Sequence, residues 1–189
     1  MATFSGPVIV GCWIIFLGYW LVSAFGQKPT TEQKSFLSTL IYRIPLTLGG
    51  LLLWWPKFSG PLNLALTPHT DPARVTGAVV CIFGLLVTIW SRWTLGGNWS
   101  SEVAFKRGHE LVKTGPYRFA RHPIYTGLLL MCLGIAVTVG RYHSWLGFLL
   151  LGLGFWIKLK QEESLMLRHF PDEYPAYLKQ VKALVPFVI

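Results

Sequence analysis

Charge is scarce in this chain. Asp, Glu, Lys and Arg make up 13% of its 189 residues, against 52% apolar and 15% aromatic, whereas ordinary globular proteins carry about 25% charged residues. That shortage excludes intrinsic disorder and argues against a soluble fold. Cysteine is also sparse: Cys12, Cys81 and Cys132 all fall inside apolar runs, where they read as small core residues rather than a disulfide or metal framework. His69, His109, His143 and His169 show no metal-ligand spacing and are expected at surface or interfacial positions. Once the long apolar runs are set aside, too little sequence remains for a separate soluble domain, which needs roughly 100 residues or more.

Uninterrupted apolar sequence is what the chain has in quantity, with a mean hydropathy of +0.48. Pro7 to Phe25 carries no charge and is long enough to cross a bilayer at about 1.5 Å per residue. The first basic residue is Lys28, so the run lacks the positive leading region of a signal peptide and is expected to stay as a span. Further spans are expected over Ser38 to Trp55, loosened at Pro45 and Gly49-Gly50, and over Val75 to Trp93. Ile124 to Val139 and Ser144 to Ile157 are shorter and separated only by Gly140 to His143, which predicts a tight helical hairpin. The fold class expected is an all-α integral membrane protein of about five transmembrane helices. It forms a single membrane domain, with membrane helices in 1–92 and the chemistry in 93–189.

Seventeen Lys and Arg against eight Asp and Glu give a net charge of +9. The cations are scattered and no nucleic-acid motif accompanies them, so membrane topology explains them better than a nucleic-acid partner. Fourteen of them, including Lys28, Lys34, Arg92, Arg118, Lys158 and Lys182, alternate onto one side of the expected spans, while Lys57, Arg74 and Arg141 fall on the other. The positive-inside rule then puts the N-terminus outside and the C-terminus in the cytosol. Arg43 lies slightly inside the second span and is expected to snorkel to that interface. Trp54, Trp55, Trp90, Trp93 and Trp145 near span ends read as an aromatic belt. Glycines recur at a spacing of seven in four spans: Gly11 and Gly18, Gly77 and Gly84, Gly127 and Gly134, Gly147 and Gly154. Seven residues is two helical turns, so each pair shares a face and predicts close helix packing.

Two polar stretches on the cytosolic side collect the reactive groups. Leu111 to Gly127 (LVKTGPYRFARHPIYTG) opens on a Gly115-Pro116 turn and gathers Tyr117, Arg118, Arg121, His122 and Tyr125, with Pro123 suited to a first helical turn. Gln161 to Pro186 reads as a continuation of the fifth helix past the membrane, with Glu162 and Glu163 on its first exposed turns. Taking Tyr142 as the hairpin tip, His122 lies twenty residues before it and Glu162 twenty after. Each is thus about 30 Å from the tip along its helix, and they should meet at one depth. The resulting polar pocket suits a ligand with both charges and an aromatic ring: a cation for a carboxylate, an acid for an ammonium or sugar hydroxyls.

At these residues the sequence resembles the isoprenylcysteine carboxyl methyltransferase family and its phospholipid-methyltransferase relatives, integral-membrane enzymes that use S-adenosylmethionine. The resemblance rests on GPYRFARHPIYTG (115 to 127) and EESLMLRHFPDEYPAY (162 to 177), with LGGNWS (95 to 100) and HELVKTG (109 to 115) upstream, and it covers about Trp93 to Ile189. Pro171 stands where relatives usually have Gly. Asn98-Trp99-Ser100 has the form of a glycosylation acceptor, but its expected cytosolic side argues against use. The resemblance implies cofactor contacts from Lys113, Gly115, Tyr117, His122, Tyr125 and Glu162. It implies catalytic or substrate-orienting roles for Arg121 and Glu163, and no metal. No G-x-G-x-x-G follows an expected strand, so the soluble Rossmann mode is absent. The implied reaction is O-methylation of a carboxylate on a lipophilic, prenylcysteine-like substrate entering from the bilayer, at the cytosolic face (of the inner membrane, were the cell bacterial). Alternatives are phosphatidylethanolamine N-methylation and a reductase or non-enzymatic relative with the same C-terminal pattern.

Overall fold

The computed structural model describes residues 5–25, 28–33, 35–55, 57–68, 70–186 and 188; Lys34 and His69 lie outside them. Helices α1 (Ser5–Ala24), α2 (Phe36–Trp54), α3 (Asp71–Leu95), α4 (Pro123–Val139), α5 (Tyr142–His169) and α6 (Tyr174–Gln180) follow in order, with short strands β1 (Thr30–Gln33) and β2 (Ala104–Lys106) between them. The strands pair antiparallel, Thr30 opposite Lys106 and Gln33 opposite Ala104, a small sheet that an all-helical expectation misses. Among the described residues three helical segments are long and apolar enough to cross a membrane: Ser5–Ala24, Phe36–Trp54 and Asp71–Asn98. Their outer faces expose large apolar side chains such as Ile14, Leu21 and Phe83, the surface expected of helices whose solvent is lipid.

Local signals explain the helix ends. Ser35 caps α2 by accepting from the Ser38 amide, and Thr70 caps α3 by accepting from the Ala73 amide. Pro123 starts α4, where its missing N–H costs nothing. Gly140 ends α4 with φ at 64°, a left-handed turn that glycine adopts without strain, and α5 begins two residues later. The hairpin is therefore as tight as its spacing predicts. Pro45 does not interrupt α2, which runs unbroken through it; the covering α5 secures that helix from outside. Beyond its apolar half α5 continues without a break to His169.

The hairpin helices pack mainly on other partners, α4 along α3 and α5 along α2. Glycines set both seams. A β-carbon on Gly84 would sit 2.6 Å from the Gly127 carbonyl, and one on Gly127 would sit 2.2 Å from the Thr88 hydroxyl. Gly77 faces Gly134 and Thr138 in the same way, while Gly49 and Gly147 face each other across α2 and α5. Small residues matter here because lipid supplies no hydrophobic drive between helices and close backbone approach must replace it. The first pair departs from the expectation: Gly11 and Gly18 of α1 meet nothing within 4 Å and lie in open space. Their spacing matches the others, but no helix among the described residues stands opposite.

This contrast yields a clear outcome for substitution. Gly84→Val or Gly127→Val should destabilise the fold by about 1–3 kcal/mol through overpacking, read as a lowered Tm in detergent. Gly11→Val and Gly18→Val should leave Tm unchanged. Equal sensitivity at all four positions would contradict the seam assignment.

Candidate active site

The turn from Gly115 to Arg118 delivers the chain into α4. Gly115 has φ at +56°, and the Arg121 and His122 amides then donate to the Lys182 and Ala183 carbonyls at 2.8 and 2.9 Å. This parallel pairing of the Arg-His segment with the C-terminal tail fixes the backbone on which the reactive side chains stand. The register expected from the hairpin is the one observed: His122 and Glu162 lie at the same level, with Nδ1 3.5 Å from a carboxylate oxygen.

Arg121 is almost fully enclosed. Its Nε donates to Glu163 at 2.9 Å, and its Nη1 donates to the carbonyls of Leu178 and Val181. Glu163 is equally buried and also takes Lys160 at 3.3 Å. Tyr125 Oη donates to Glu162 at 2.5 Å, and its ring lies parallel to that of His122. His122 Nε2 approaches Glu163 at 3.5 Å, yet it is buried without a hydrogen-bond partner among the described residues.

Burial alone would raise both carboxyl pKa values, but the neighbouring cations prevail. His122 and Arg121 hold Glu163 down to about 2, and His122 and Lys158 hold Glu162 below its ordinary value. Burial opposes a proton on His122, and the two glutamates outweigh it and raise its pKa.

These groups line or back a cavity whose opposite wall is the connection from α3 to α4. Tyr117, Arg121, His122, Tyr125 and Glu162 face it, joined by Asn98, Glu102 and His109. Three other expected residues stand outside the lining. Lys113 is half-exposed and pairs with Glu173 at 2.7 Å, Gly115 abuts Thr94, and Glu163 stands behind Arg121.

Sequence reasoning passed over several wall residues. His109 was expected near the surface; instead it lines the cavity and stacks on Phe105 at 4.8 Å. Burial and the nearby Lys28, His169 and Lys106 lower its pKa to about 4, so its imidazole is neutral. Glu102 accepts from Tyr42 at 2.7 Å and from Arg43. Arg43 therefore ends in an ion pair rather than merely snorkelling. Apart from Glu110, Glu102 is the lone acid in residues 96–127, the one signal that could have singled it out. Asn98 accepts from Lys28 at 2.8 Å and is buried. Lys158, whose position in the sequence marks only topology, is buried and donates to the Ser101 carbonyl at 2.7 Å. The described residues hold no group of three or more His, Cys, Asp or Glu placed to bind a metal.

The model of the phospholipid methyltransferase family matches residues 72–173, from the start of α3 to the turn before α6. Protein-S-isoprenylcysteine O-methyltransferase of Xenopus laevis is 27% identical over 187 residues, covering 94% of this chain and 62% of that protein. The human protein of the same name is 26% identical over 181 residues, covering 89% and 60%. The Schizosaccharomyces pombe protein is 35% identical over 96 residues, covering 49% and 41%. The chain thus spans about 60% of the length of the two vertebrate relatives.

The charge cluster generates a pH signature. His122 binds its proton more tightly folded than unfolded, so its contribution to stability is complete below its ordinary pKa of 6.5 and fades as pH rises through the raised folded value. Glu163 contributes above 4.5 and is lost as pH falls toward about 2. The Tm deficit of His122→Gln should accordingly be largest near about pH 5.5 and narrow on the alkaline side. A deficit that widens with rising pH would contradict a protonated His122.

Proposed function

The chain belongs to the phospholipid methyltransferase family, and from that premise we propose that it is an S-adenosylmethionine-dependent carboxyl O-methyltransferase acting on a lipophilic, prenylcysteine-like substrate. The observation that carries this reading is a cation and a carboxylate brought to one cavity wall: Arg121, held from behind by the buried Glu163, stands beside His122, Tyr125 and the partly exposed Glu162. The relatives named as isoprenylcysteine O-methyltransferases support the choice of substrate class.

The residues present suit the methyl donor. Glu162 offers a carboxylate to an ammonium or to hydroxyls, His122 has a buried nitrogen without a hydrogen-bond partner, and Tyr117 and Tyr125 supply aromatic walls. Lys113 and Gly115 would act from the rim, through the turn they shape. When bound, S-adenosylmethionine supplies an electrophilic methyl group on a sulfonium. A substrate carboxylate is already ionised at neutral pH and needs no general base. Arg121 would orient that carboxylate, and Glu163 would hold the guanidinium in place from behind. Positioning and exclusion of water can together supply about 7–11 kcal/mol for such a displacement.

The finer topology belongs to the same proposal. Five spans, with α4 and the apolar half of α5 completing the three long ones, would set the N-terminus outside and the active site at the cytosolic interface. Residues 93–189 would form the catalytic half, a division supported by a cavity whose lining begins at Leu95. Phosphatidylethanolamine N-methylation is the second reading, favoured by the two carboxylates, Glu102 and Glu162, that face the cavity.

Purified protein given methyl-labelled donor should esterify N-acetyl-farnesylcysteine and leave phosphatidylethanolamine unlabelled. Label on the phospholipid alone would establish the second reading, and label on neither would reject both. Arg121→Gln should lower kcat by about 10²-fold, as for the loss of one preorganised donor. Glu162→Gln should weaken donor binding by about tenfold to a hundredfold in calorimetry, as for a lost charge-assisted hydrogen bond.

A further inference from the structure

A second concavity lies between the Gly115–Arg118 turn and the end of α6, lined by Arg118, Phe119, Gln180, Val181 and Lys182. It shares none of these residues with the cavity of Arg121 and Glu162. The pairing of Ala120 with Lys182 brings its two cations together from distant parts of the chain. Both are exposed, and neither has an ionic or hydrogen-bonding side-chain partner among the described residues. Lys179, exposed on the last turn of α6, adds a third cation. No Asp or Glu occurs in 111–127 or in 174–189, so nothing in either contributing segment neutralises them.

One exposed apolar side chain, Phe119, lines the concavity beside the cations, and two more follow Lys182 along the tail. Phe119 is 52% exposed, and Val185 and Val188 are 47% and 71% exposed. The Thr126 hydroxyl donates to the Leu184 carbonyl at 2.7 Å, which ties this tail to the first turn of α4, where the apolar helix begins. Cations with a neighbouring aromatic ring at such a boundary match the headgroup layer of a bilayer. A free phosphate ion would use the cations but has no use for the exposed apolar side chains.

We infer that this concavity binds the phosphate of an anionic phospholipid, with Arg118 and Lys182 taking the phosphate oxygens and Phe119 and Val185 lying against the first acyl carbons. Arg suits the phosphate because its planar fork matches two oxygens at once. Occupancy would brace the tail segment whose Leu178 and Val181 carbonyls accept from Arg121. That consequence rests on the role proposed for Arg121, whereas the binding itself does not.

The test uses the full chain in neutral detergent, titrated with phosphatidylglycerol, phosphatidylcholine or inorganic phosphate and read by native mass spectrometry. Phosphatidylglycerol should be retained in preference to the other two. Arg118→Gln and Lys182→Gln should each weaken its retention by about fivefold, and the pair by about 25-fold, following the usual increment per basic residue near an anionic surface. Arg107→Gln, an exposed cation outside the concavity, should change nothing. Equal retention by the double variant, equal retention of phosphatidylcholine, or equally tight inorganic phosphate would each overturn the assignment. Because the readout is lipid retention, loss of methyl transfer for other reasons leaves the result interpretable.

Discussion

The Arg121–Glu163 ion pair is the contact on which the rest of the site depends. Taking a guanidinium and a carboxylate out of water costs several kcal/mol per ion unless good geometry and further hydrogen bonds repay it. Repayment here comes from three separate elements. Glu163 stands on the extension of α5, Arg121 precedes α4, and the carbonyls of Leu178 and Val181 close over the guanidinium from the tail. None of these can shift by a residue without leaving a buried charge exposed to an apolar surrounding. The register of the hairpin, the length of α5 and the path of the C-terminal tail are therefore tied to one another.

Helix packing decides where the polar chain can go. Because Gly84 faces Gly127 and Gly77 faces Gly134, α3 and α4 run antiparallel and in close contact. The 27 residues from 96 to 122 that join them must begin and end at the same end of that pair. They have nowhere to go but over that end, where Asn98, Glu102 and His109 become the outer wall of the cavity. β1 pins this wall from outside through its pairing with β2, and Lys28 adds hydrogen bonds to Asn98 and to the Gly108 carbonyl. A tight seam of glycines within the apolar helices thus produces an enclosed site beyond them.

The site is electrically balanced in a chain that is strongly basic. Within the interior Arg121, His122 and Lys158 stand against Glu102, Glu162 and Glu163, with the more exposed Arg43 and Lys160 reaching two of these acids from the edge, while Arg118, Lys179 and Lys182 lie outside and have no ionic partner among the described residues. The separation has a physical logic. Buried charges need partners, and exposed ones at a membrane edge can leave theirs to the lipid. A balanced interior can also take a ligand that carries both signs, since neither end meets an uncompensated field.

How much of this was legible in the sequence differs by feature. The apolar runs declared the helices, because a segment buried in lipid has no other way to satisfy its backbone. The tight turn at Gly140 and the twenty-residue symmetry about Tyr142 set His122 against Glu162, because helical rise converts residue number into depth. Periodicity could not say which helix stands opposite which glycine, so Gly11 and Gly18 looked like Gly77 and Gly84 although they face open space. Nor could it reveal that Glu102, between the motifs, and His109, at the head of one, return to the same cavity, or that Lys158 is buried rather than a topology marker. Local sequence determined which segments are helical and where along each helix the charges sit, since both depend on neighbours within a few turns. The tertiary structure alone decided how Arg121 is partnered, since that depends on contacts with residues 42 and 60 positions away, the Glu163 carboxylate and the Val181 carbonyl.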